Sequence, residues 1–312
     1  MRLLYKLGNV VENKALSLRQ MVKTATNTGM TIKAIAPWFG GKRNLAPRII
    51  ELLGPHRVYW EPFCGSMAVL MVKPPCVMET VNDLHADLIN LAKVIQDVQA
   101  GCQLYRRLKR TLMSEQLHRE AAERYRARTY SAPVDGPDVD RAYDYFLCAW
   151  LGRNGVAGTQ SYNQGFCVRY TANGGHAAKR WVSAISSIPA WRRRLANVTI
   201  LQRDAFEVLQ RIEDRKGTAI YIDPPYIKKG AKYIHDFDIA DHDRLAAILN
   251  RFRHTGIVLS YYDDPLVRRM YAGWTCHELT VSKAMANQSS RGAKNVKAVE
   301  LLLINNAKYM AV

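Results

Sequence analysis

Acidic residues are scarce in this chain of 312 residues. It carries 27 Asp and Glu against 45 Lys and Arg, which gives a formal net charge of +18 and a pI near 9.7. Such an excess of positive charge is typical of proteins that bind a polyanion. Nucleic acid is the first candidate and an anionic membrane surface the second, while a merely basic protein is also compatible with the composition.

Paired cysteines and long apolar runs are also missing. The six cysteines are scattered without a CxxC pair, and the eight histidines follow no metal-binding pattern. The sequence therefore predicts neither a metal site nor a disulfide framework, and it favours a reducing compartment. No apolar run approaches the ~20 residues that span a bilayer, so no membrane-spanning segment is predicted.

A complete glycine fingerprint for a dinucleotide is missing as well. The run Val58–Glu61 predicts a strand, followed by a turn that contains Phe63, Cys64 and Gly65. Gly65 is the one glycine present where a G-x-G-x-x-G pattern has three, and Met67 stands where a second would be useful. The pattern therefore disfavours a close approach of the backbone to a pyrophosphate.

An acid follows the second predicted strand, Val77–Val81. This acid, Asp83, comes about 20 residues after the glycine turn, at the spacing that suits the ribose hydroxyls of a nucleoside. The pattern favours a nucleoside cofactor without pyrophosphate, of which S-adenosylmethionine is the common one. Glu61 or Asp83 is then placed to meet its positive charges. An ordinary strand–helix turn explains the same residues equally well.

A second glycine turn precedes the first strand and has the sequence Pro37-Trp38-Phe39-Gly40-Gly41-Lys42. It presents a flat ring and a cation together. Trp38 and Lys42 suit the amino-acid part of such a cofactor, with the Lys42 ammonium paired to its carboxylate. The alternative is a surface lysine on a turn that leads into a helix.

The turn Asp223-Pro224-Pro225-Tyr226 directly follows a buried apolar run, Thr218–Ile222. Its prolines lack backbone N–H groups and fix φ, so the chain leaves the strand as a rigid turn. Ligands of open α/β sheets bind at this end of the strands. Asp223 and the Pro224 carbonyl can accept hydrogen bonds from the two hydrogens of an exocyclic amine. Tyr226 offers a ring on which a base can stack. A helix-capping turn is the plain alternative.

Strand and helix patterns alternate up to residue 100 and again from Val198, with Asp204 and Phe206 just after the later strand. The sequence predicts a basic, poorly ordered tail over residues 1–33. Residues 34–100 and 197–312 are predicted to form one α/β domain. Residues 101–196 are predicted to be an inserted subdomain of helices plus a hairpin, because Asn154-Gly155 is a hairpin turn signal.

The motifs resemble, in order and spacing, the Dam-type DNA adenine methyltransferases. The matching motifs are Trp38-Phe39-Gly40-Gly41-Lys42, Glu61-Pro62-Phe63-Cys64-Gly65, Asn82-Asp83 and Asp223-Pro224-Pro225-Tyr226, and the resemblance runs from about Ala36 to Asn305. It implies a Rossmann-like α/β methyltransferase sheet with helices on both faces and an inserted target-recognition subdomain. Met67 departs from the family's usual F-x-G-x-G at its second glycine.

The resemblance implies roles for individual residues. The S-adenosylmethionine pocket would be lined by Trp38, Lys42, Phe63, Asp83, Asp204 and Phe206, with Glu61, Cys64, Gly65 and Asp223 beside them. Asp223, Pro224 and Tyr226 would hold an adenine flipped out of double-stranded DNA. The resemblance also implies a cytoplasmic, nucleoid-associated location for a prokaryotic or phage-encoded protein, and a cognate restriction endonuclease as a partner.

DNA contacts are expected from the insert and from a late polar loop. The predicted DNA-binding residues are Arg153, Asn154, Tyr162, Asn163, Arg169, Arg291 and Lys294. Further basic residues support a DNA-binding face as a set, although each of them alone is better explained as a solvated surface charge: Lys179, Arg180, Arg192, Arg193, Arg194 and Lys297.

Two other functions are compatible with these residues. One is methylation of cytosine N4, because this exocyclic amine is as poor a nucleophile as adenine N6. Ser often replaces the Asp in relatives that act on cytosine, so Asp223 favours adenine. A non-catalytic DNA-binding protein on a decayed methyltransferase fold would explain Met67, but the intact Asp223-Pro224-Pro225-Tyr226 motif argues against decay.

Overall fold

A computed structural model describes residues 32–38, 40–128, 136–152, 165–168, 176–227, 235–282 and 297–305. Seven strands are described: β1 (Val58–Glu61), β2 (Met78–Asn82), β3 (Val198–Leu201), β4 (Thr218–Ile222), β5 (Gly256–Tyr262), β6 (Thr275–Ser282) and β7 (Lys297–Ile304). They form one sheet in the order β3-β2-β1-β4-β5-β7-β6. Strands β1 to β5 are parallel, and β7 runs antiparallel between β5 and β6.

The order of the strands reverses between β1 and β4. The chain builds β2 and β3 on one side of β1 and then crosses back to place β4 on its other side. The connections from β1 and from β4 therefore leave in opposite directions, which opens a crevice at the carboxyl ends of these two strands. All five residues of β4 are buried, as its unbroken apolar run predicts for a central parallel strand.

Ten helices are described. They are α1 (Ala46–Leu53), α2 (Ala68–Val72), α3 (Ala86–Gln96), α4 (Val98–Lys109), α5 (Glu115–Ala127), α6 (Val139–Leu151), α7 (Ala177–Leu195), α8 (Ala205–Arg211), α9 (Ile239–Leu249) and α10 (Pro265–Met270). None of them is long and apolar enough to cross a bilayer, within the part of the chain that the structure describes.

Helices α4 to α7 lie between β2 and β3 in the chain. Helices α4, α6 and α7 pack on α3, and α5 packs on α6. Buried residues of α3, α6 and α7 share one apolar cluster, with Leu91, Phe146 and Trp181 among its members. A buried ion pair joins Arg141 of α6 to Asp87 of α3, with 2.5 Å between Nε and Oδ1. The helical insert and the sheet therefore share a continuous core.

The segment 32–36 packs against this insert. Ala34, Ile35 and Ala36 are buried. The Ile32 N–H donates to Ser187 Oγ of α7 at 3.0 Å, and the Ile35 N–H donates to the Ser66 carbonyl at 3.1 Å. The insert is thus connected to the turn after β1 through these few residues. The rest of the predicted basic tail lies outside the described residues.

The insert contains more helix than the sequence pattern indicates. The composition of residues 105–128 predicts one helical stretch, but two helices are observed, with an extended segment at Thr111–Ser114 between α4 and α5. Helix α7 was not predicted, because its apolar residues are diluted by basic ones and Pro189 lies inside it. The predicted hairpin at Asn154-Gly155 lies outside the described residues, and Gly152 and Phe166 on either side form an antiparallel bridge.

The sequence predicts Asp241 as the N-cap of α9, because an acid there precedes the apolar pattern of the helix. In the structure Asp238 is the N-cap instead. The Asp238 side chain accepts from the Asp241 N–H at 2.9 Å, and the Asp241 side chain accepts from the Asp238 N–H at 3.2 Å. This reciprocal pair is a capping box in which Asp241 takes the N3 position.

Candidate active site

One pocket opens at the carboxyl ends of β1, β2 and β4. Its lining contains every residue that the sequence predicts for the cofactor or for catalysis: Trp38, Lys42, Glu61, Phe63, Cys64, Gly65, Asp83, Asp204, Phe206, Asp223, Pro224 and Tyr226. These residues come from five separate segments of the chain. They meet because the parallel strands end at a common edge, beside the point where the strand order reverses.

Lys42 lies against the Asp-Pro-Pro-Tyr turn. Its ammonium is 2.9 Å from Asp223 Oδ1, 3.4 Å from Glu300 Oε1 and 2.7 Å from the Gly40 carbonyl oxygen. It also lies 5.0 Å from the centroid of the Tyr226 ring. The cofactor carboxylate predicted to pair with Lys42 would therefore have to exchange with one of these acceptors. That pairing stays a prediction.

Tyr226 lies between the same two carboxylates. Its hydroxyl is 3.2 Å from Asp223 Oδ1 and 2.9 Å from Glu300 Oε1. A phenol has a single O–H to donate, so it serves one carboxylate at a time. Lys42, Asp223, Tyr226 and Glu300 thus form a closed ring of contacts, which we call the four-residue ring.

Burial raises the pKa of Asp223 to about 6. The Lys42 cation opposes this effect, and the negative charge of Glu300 adds to it. Asp223 is therefore ionised at neutral pH and able to accept hydrogen bonds from an amine. Below about pH 6 it becomes protonated and loses acceptor capacity.

Glu61 is another carboxyl group of the pocket, and it is fully buried. It is 2% exposed, and its Oε2 accepts from the Tyr59 hydroxyl at 2.9 Å. Burial raises the pKa of Glu61 to about 8, against the effect of the Tyr59 hydrogen bond. Glu61 is consequently mostly neutral at pH 7 when nothing positively charged lies beside it.

Asp83 organises the glycine turn. Its Oδ2 accepts from the Gly65 N–H at 2.8 Å, and its Oδ1 accepts from the His85 N–H at 2.9 Å. Gly65 has a φ of +44°, and a Cβ there would lie 2.8 Å from Trp38 Nε1. Glycine is required at this position both by the backbone conformation and by the close approach of the indole.

Met67 adopts a left-handed conformation with a φ of +59°, and its side chain is fully buried. The expected second glycine would take this conformation without steric cost. The methionine retains the backbone geometry, and its side chain joins the apolar core. Its presence therefore leaves the turn between β1 and α2 intact.

Aromatic rings line the far side of the pocket. Asp204 caps α8 by accepting from the Phe206 N–H at 2.7 Å. The Phe206 ring stacks on Phe237, with 5.4 Å between centroids, and Phe63 meets Phe237 edge-on at 5.6 Å.

Several residues of this region were not predicted from the sequence. Among them are Phe237 and Tyr262, which line the pocket, and Glu300 of the four-residue ring. Glu300 carried one usable signal, because it is the sole acid in the otherwise apolar run Val299–Ile304. An acid in a strand buried on both faces indicates a functional or paired group.

The seven predicted DNA-binding residues all lie outside the described residues. They are Arg153, Asn154, Tyr162, Asn163, Arg169, Arg291 and Lys294. Their roles stay predictions. No cluster of three or more potential metal-ligating side chains occurs among the residues that the structure describes.

One of the further basic residues has a different role from the expected one. Arg194 of α7 forms a bidentate ion pair with the buried Glu79 of β2, at 2.5 and 2.8 Å, and also donates to the Leu70 carbonyl. Because these acceptors engage its guanidinium, Arg194 connects the insert to the sheet. Arg194 therefore does not support the DNA-binding face that the basic residues predict as a set.

A Rossmann-like sheet whose Asp-Pro-Pro-Tyr turn lines a pocket at the carboxyl ends of the strands is typical of the α/β methyltransferases. Comparison with known proteins narrows this class. The family model described as D12 class N6 adenine-specific DNA methyltransferase matches residues 38–286, which is most of the chain. The protein therefore belongs to the D12 class of N6 adenine-specific DNA methyltransferases.

Two relatives illustrate the similarity. The chain is 26% identical over 294 residues to the Type II methyltransferase M1.LlaDCHI of Lactococcus lactis subsp. cremoris, covering 88% of this chain and 96% of that protein. It is 28% identical over 285 residues to the Retron Ec67 DNA adenine methylase of Escherichia coli, covering 89% and 93%. Both comparisons extend over nearly the full length of each protein.

Proposed function

We propose that this methyltransferase binds S-adenosylmethionine in the pocket and transfers its methyl group to the N6 amine of an adenine flipped out of double-stranded DNA. The observation that carries the proposal is the convergence of every predicted cofactor and catalytic residue on one pocket. The partly buried Asp223 carboxylate, a member of the four-residue ring, lines that pocket.

The chemistry of the pocket fits this cofactor. When bound, S-adenosylmethionine supplies an electrophilic methyl group on a positively charged sulfur. Phe63, Phe206 and Phe237 offer apolar faces for its adenine ring. Glu61 and Asp83 provide the carboxylates that suit the positive charges and the ribose hydroxyls. We assign the remaining wall of the same site to Trp38, Lys42, Cys64, Gly65 and Asp204.

Asp223 and the Pro224 carbonyl act on the target amine. An aromatic amine is a poor nucleophile because its lone pair is delocalised into the base. Two acceptors on its two hydrogens localise that pair toward the methyl group and stabilise the charge that develops on nitrogen. A new N–C bond forms as the S–C bond breaks, the bonding pair leaves with sulfur, and the nitrogen then releases a proton.

Tyr226 would hold the base in place. Stacking on an aromatic ring is worth about 1–3 kcal/mol per base when a base is held outside a duplex. The Tyr226 hydroxyl is anchored by a carboxylate at either 2.9 or 3.2 Å, which limits rotation of the ring. Holding both reactants at one strand edge contributes the orientation on which a displacement in line depends.

The insert is the proposed target-recognition part. Residues 101–196 carry Arg153, Asn154, Tyr162, Asn163 and Arg169, and Arg291 and Lys294 lie on the later loop. The charge of +18 supports contact with DNA phosphates. We also propose a cytoplasmic location and a cognate restriction endonuclease as a functional partner, since one relative is named a Type II methyltransferase.

Nucleoside analysis of the reaction product tests the proposed function. Unmethylated double-stranded DNA is incubated with the protein and S-adenosylmethionine, digested, and analysed by mass spectrometry. We expect N6-methyladenine and no product without cofactor. N4-methylcytosine instead would contradict the assignment of adenine, and DNA binding without any methylated nucleoside would contradict the assignment of catalysis.

A further inference from the structure

Glu300 lies at the edge of the sheet where the reaction is proposed to occur. It is near the start of β7, and its Cα pairs with Tyr262 of β5 on one side and with Leu279 of β6 on the other. Because β7 is antiparallel to β5, the beginning of β7 lies beside the end of β5. Glu300 thereby reaches the Asp-Pro-Pro-Tyr turn from a position 74 residues beyond Tyr226 in the chain.

Glu300 is 5% exposed and is not one of the residues that line the pocket. Both described side chains that it contacts in the four-residue ring also contact Asp223. The Tyr226 hydroxyl lies 2.9 Å from Glu300 and 3.2 Å from Asp223, and the Lys42 ammonium lies 3.4 Å and 2.9 Å from them. Glu300 is therefore a second acceptor for the same two donors.

A target amine that binds to Asp223 adds a further hydrogen-bond donor to its carboxylate. Its Oδ1 accepts from Lys42 or Tyr226 in the structure, and the amine competes for the same carboxylate. A buried ammonium or hydroxyl that loses its acceptor incurs a desolvation cost. An acceptor within reach of both donors removes that cost, because each donor can transfer its hydrogen bond without leaving its position.

We propose that Glu300 is a positioning residue for methyl transfer, which holds the Tyr226 hydroxyl and the Lys42 ammonium in place while the target amine occupies Asp223. This inference rests on the proposed function of Asp223. Glu300 does not touch the reacting atoms. It acts by holding the orientation of the Tyr226 ring, on which the base stacks. It also acts through the negative charge of its own carboxylate, which lies near Asp223.

The electrostatics of the ring support this role. The negative charge of Glu300 raises the pKa of Asp223, after the larger effect of burial and against the effect of Lys42. Other titratable groups face this site from β1, β4 and β5, and they include Glu61, Tyr221, Tyr261 and Tyr262. The pKa values of the three tyrosines are raised, so these phenols stay neutral where Asp223 titrates.

The test is the single-turnover rate of methyl transfer as a function of pH. Glu300→Gln keeps an oxygen acceptor for the Tyr226 hydroxyl but removes the charge. We expect the rate at neutral pH to fall about tenfold to a hundredfold, as for a small misplacement of reacting groups. We also expect the acid limb of the rate profile to move to lower pH, because loss of the Glu300 charge lets Asp223 ionise more easily.

Two further variants separate charge from structure. Glu300→Asp keeps the charge with a shorter reach, so its acid limb should stay near that of the wild type while its rate is lowered. Glu278→Gln is the matched control, because Glu278 is an exposed glutamate of the neighbouring β6 whose carboxylate pairs with Arg268. It should leave both the rate and the profile unchanged.

Two outcomes would overturn the inference. One is a Glu300→Gln rate and profile equal to those of the wild type, and the other is a lowered rate with an unmoved acid limb, which a merely structural role would give. Asp223→Asn in the same assay keeps the two proposals apart. If it is inactive while Glu300→Gln behaves as wild type, only the role of Glu300 fails. If it is fully active, the proposed function of Asp223 fails instead.

Discussion

Glu61 is a buried carboxyl group at the end of β1, and Asp223 is a partly buried one at the end of the adjacent strand β4. Loss of solvent around the carboxyl group is the main cause of the raised pKa of each. They differ in their nearest partners. The Lys42 ammonium pairs with Asp223 and limits the rise of the Asp223 pKa to about 6. The partner of Glu61 is the neutral Tyr59 hydroxyl, and the Glu61 pKa reaches about 8. At neutral pH one is an acceptor and the other holds a proton. This difference suits Asp223 to the proposed contact with the target amine and Glu61 to the proposed contact with the cofactor cation.

Glu61 should release its proton when a positively charged cofactor binds. An adjacent positive charge favours the ionised carboxylate, so binding at pH 7 is coupled to proton release. Titration calorimetry in two buffers with different ionisation enthalpies measures the number of protons released. We expect release with the wild type and its loss in Glu61→Gln. An equal release from both proteins would show that another group titrates.

The turn between β1 and α2 depends on interactions at the scale of a whole element. Asp83, just after β2, accepts from the Gly65 N–H, and Trp38 from the preceding loop packs directly against Gly65. Three segments thus fix one another at the floor of the pocket. A change at Gly65 should therefore be transmitted to Trp38 rather than remain local.

Gly65→Ala should weaken cofactor binding as well as stability. The alanine would adopt a positive φ, at a cost of roughly 1–2 kcal/mol, and its Cβ would displace the indole of Trp38. Gly273→Ala is the matched control, since Gly273 has a φ of +86° and no atom lies within 4 Å of the point where its Cβ would be. Denaturant unfolding should show a loss of stability for Gly65→Ala that is similar to, or larger than, the loss for Gly273→Ala. Calorimetry should show weaker cofactor binding for Gly65→Ala alone. Equal affinities would contradict this account of the turn.

At the scale of the whole molecule, the sheet and the pocket could be predicted, but the individual helices of the insert could not. The strands β1, β3 and β4 coincide with the strand patterns of the sequence. Of these three, β4 is the one buried along its whole length, as an unbroken apolar run predicts for a central parallel strand. The pocket residues follow because parallel strands end at one edge. Helix α7 escaped prediction because Arg192, Arg193 and Arg194 obscure its apolar face, and only the tertiary structure shows that Arg194 is paired.

The insert should depend on Arg194 for its attachment to the sheet. Arg194→Leu removes a bidentate partner of the buried Glu79, and breaking a buried pair costs about 3 kcal/mol or more. Lys73, 2.9 Å from Glu79, limits the loss. Arg193→Leu is the control, because Arg193 is exposed on the same helix and its replacement should change stability by about 0.5 kcal/mol or less. Equal unfolding midpoints for the two variants would contradict the structural role of Arg194.

The central claim is that Asp223 orients the target amine for methyl transfer, and its replacement by an isosteric amide tests this claim most directly. Single-turnover transfer of labelled methyl from S-adenosylmethionine to DNA is compared for the wild type and Asp223→Asn, with cofactor affinity measured on the same samples. We expect the rate to fall by about a hundredfold or more, as when one transition-state contact is removed. Cofactor affinity should change far less. A variant that methylates DNA at the wild-type rate would contradict the account.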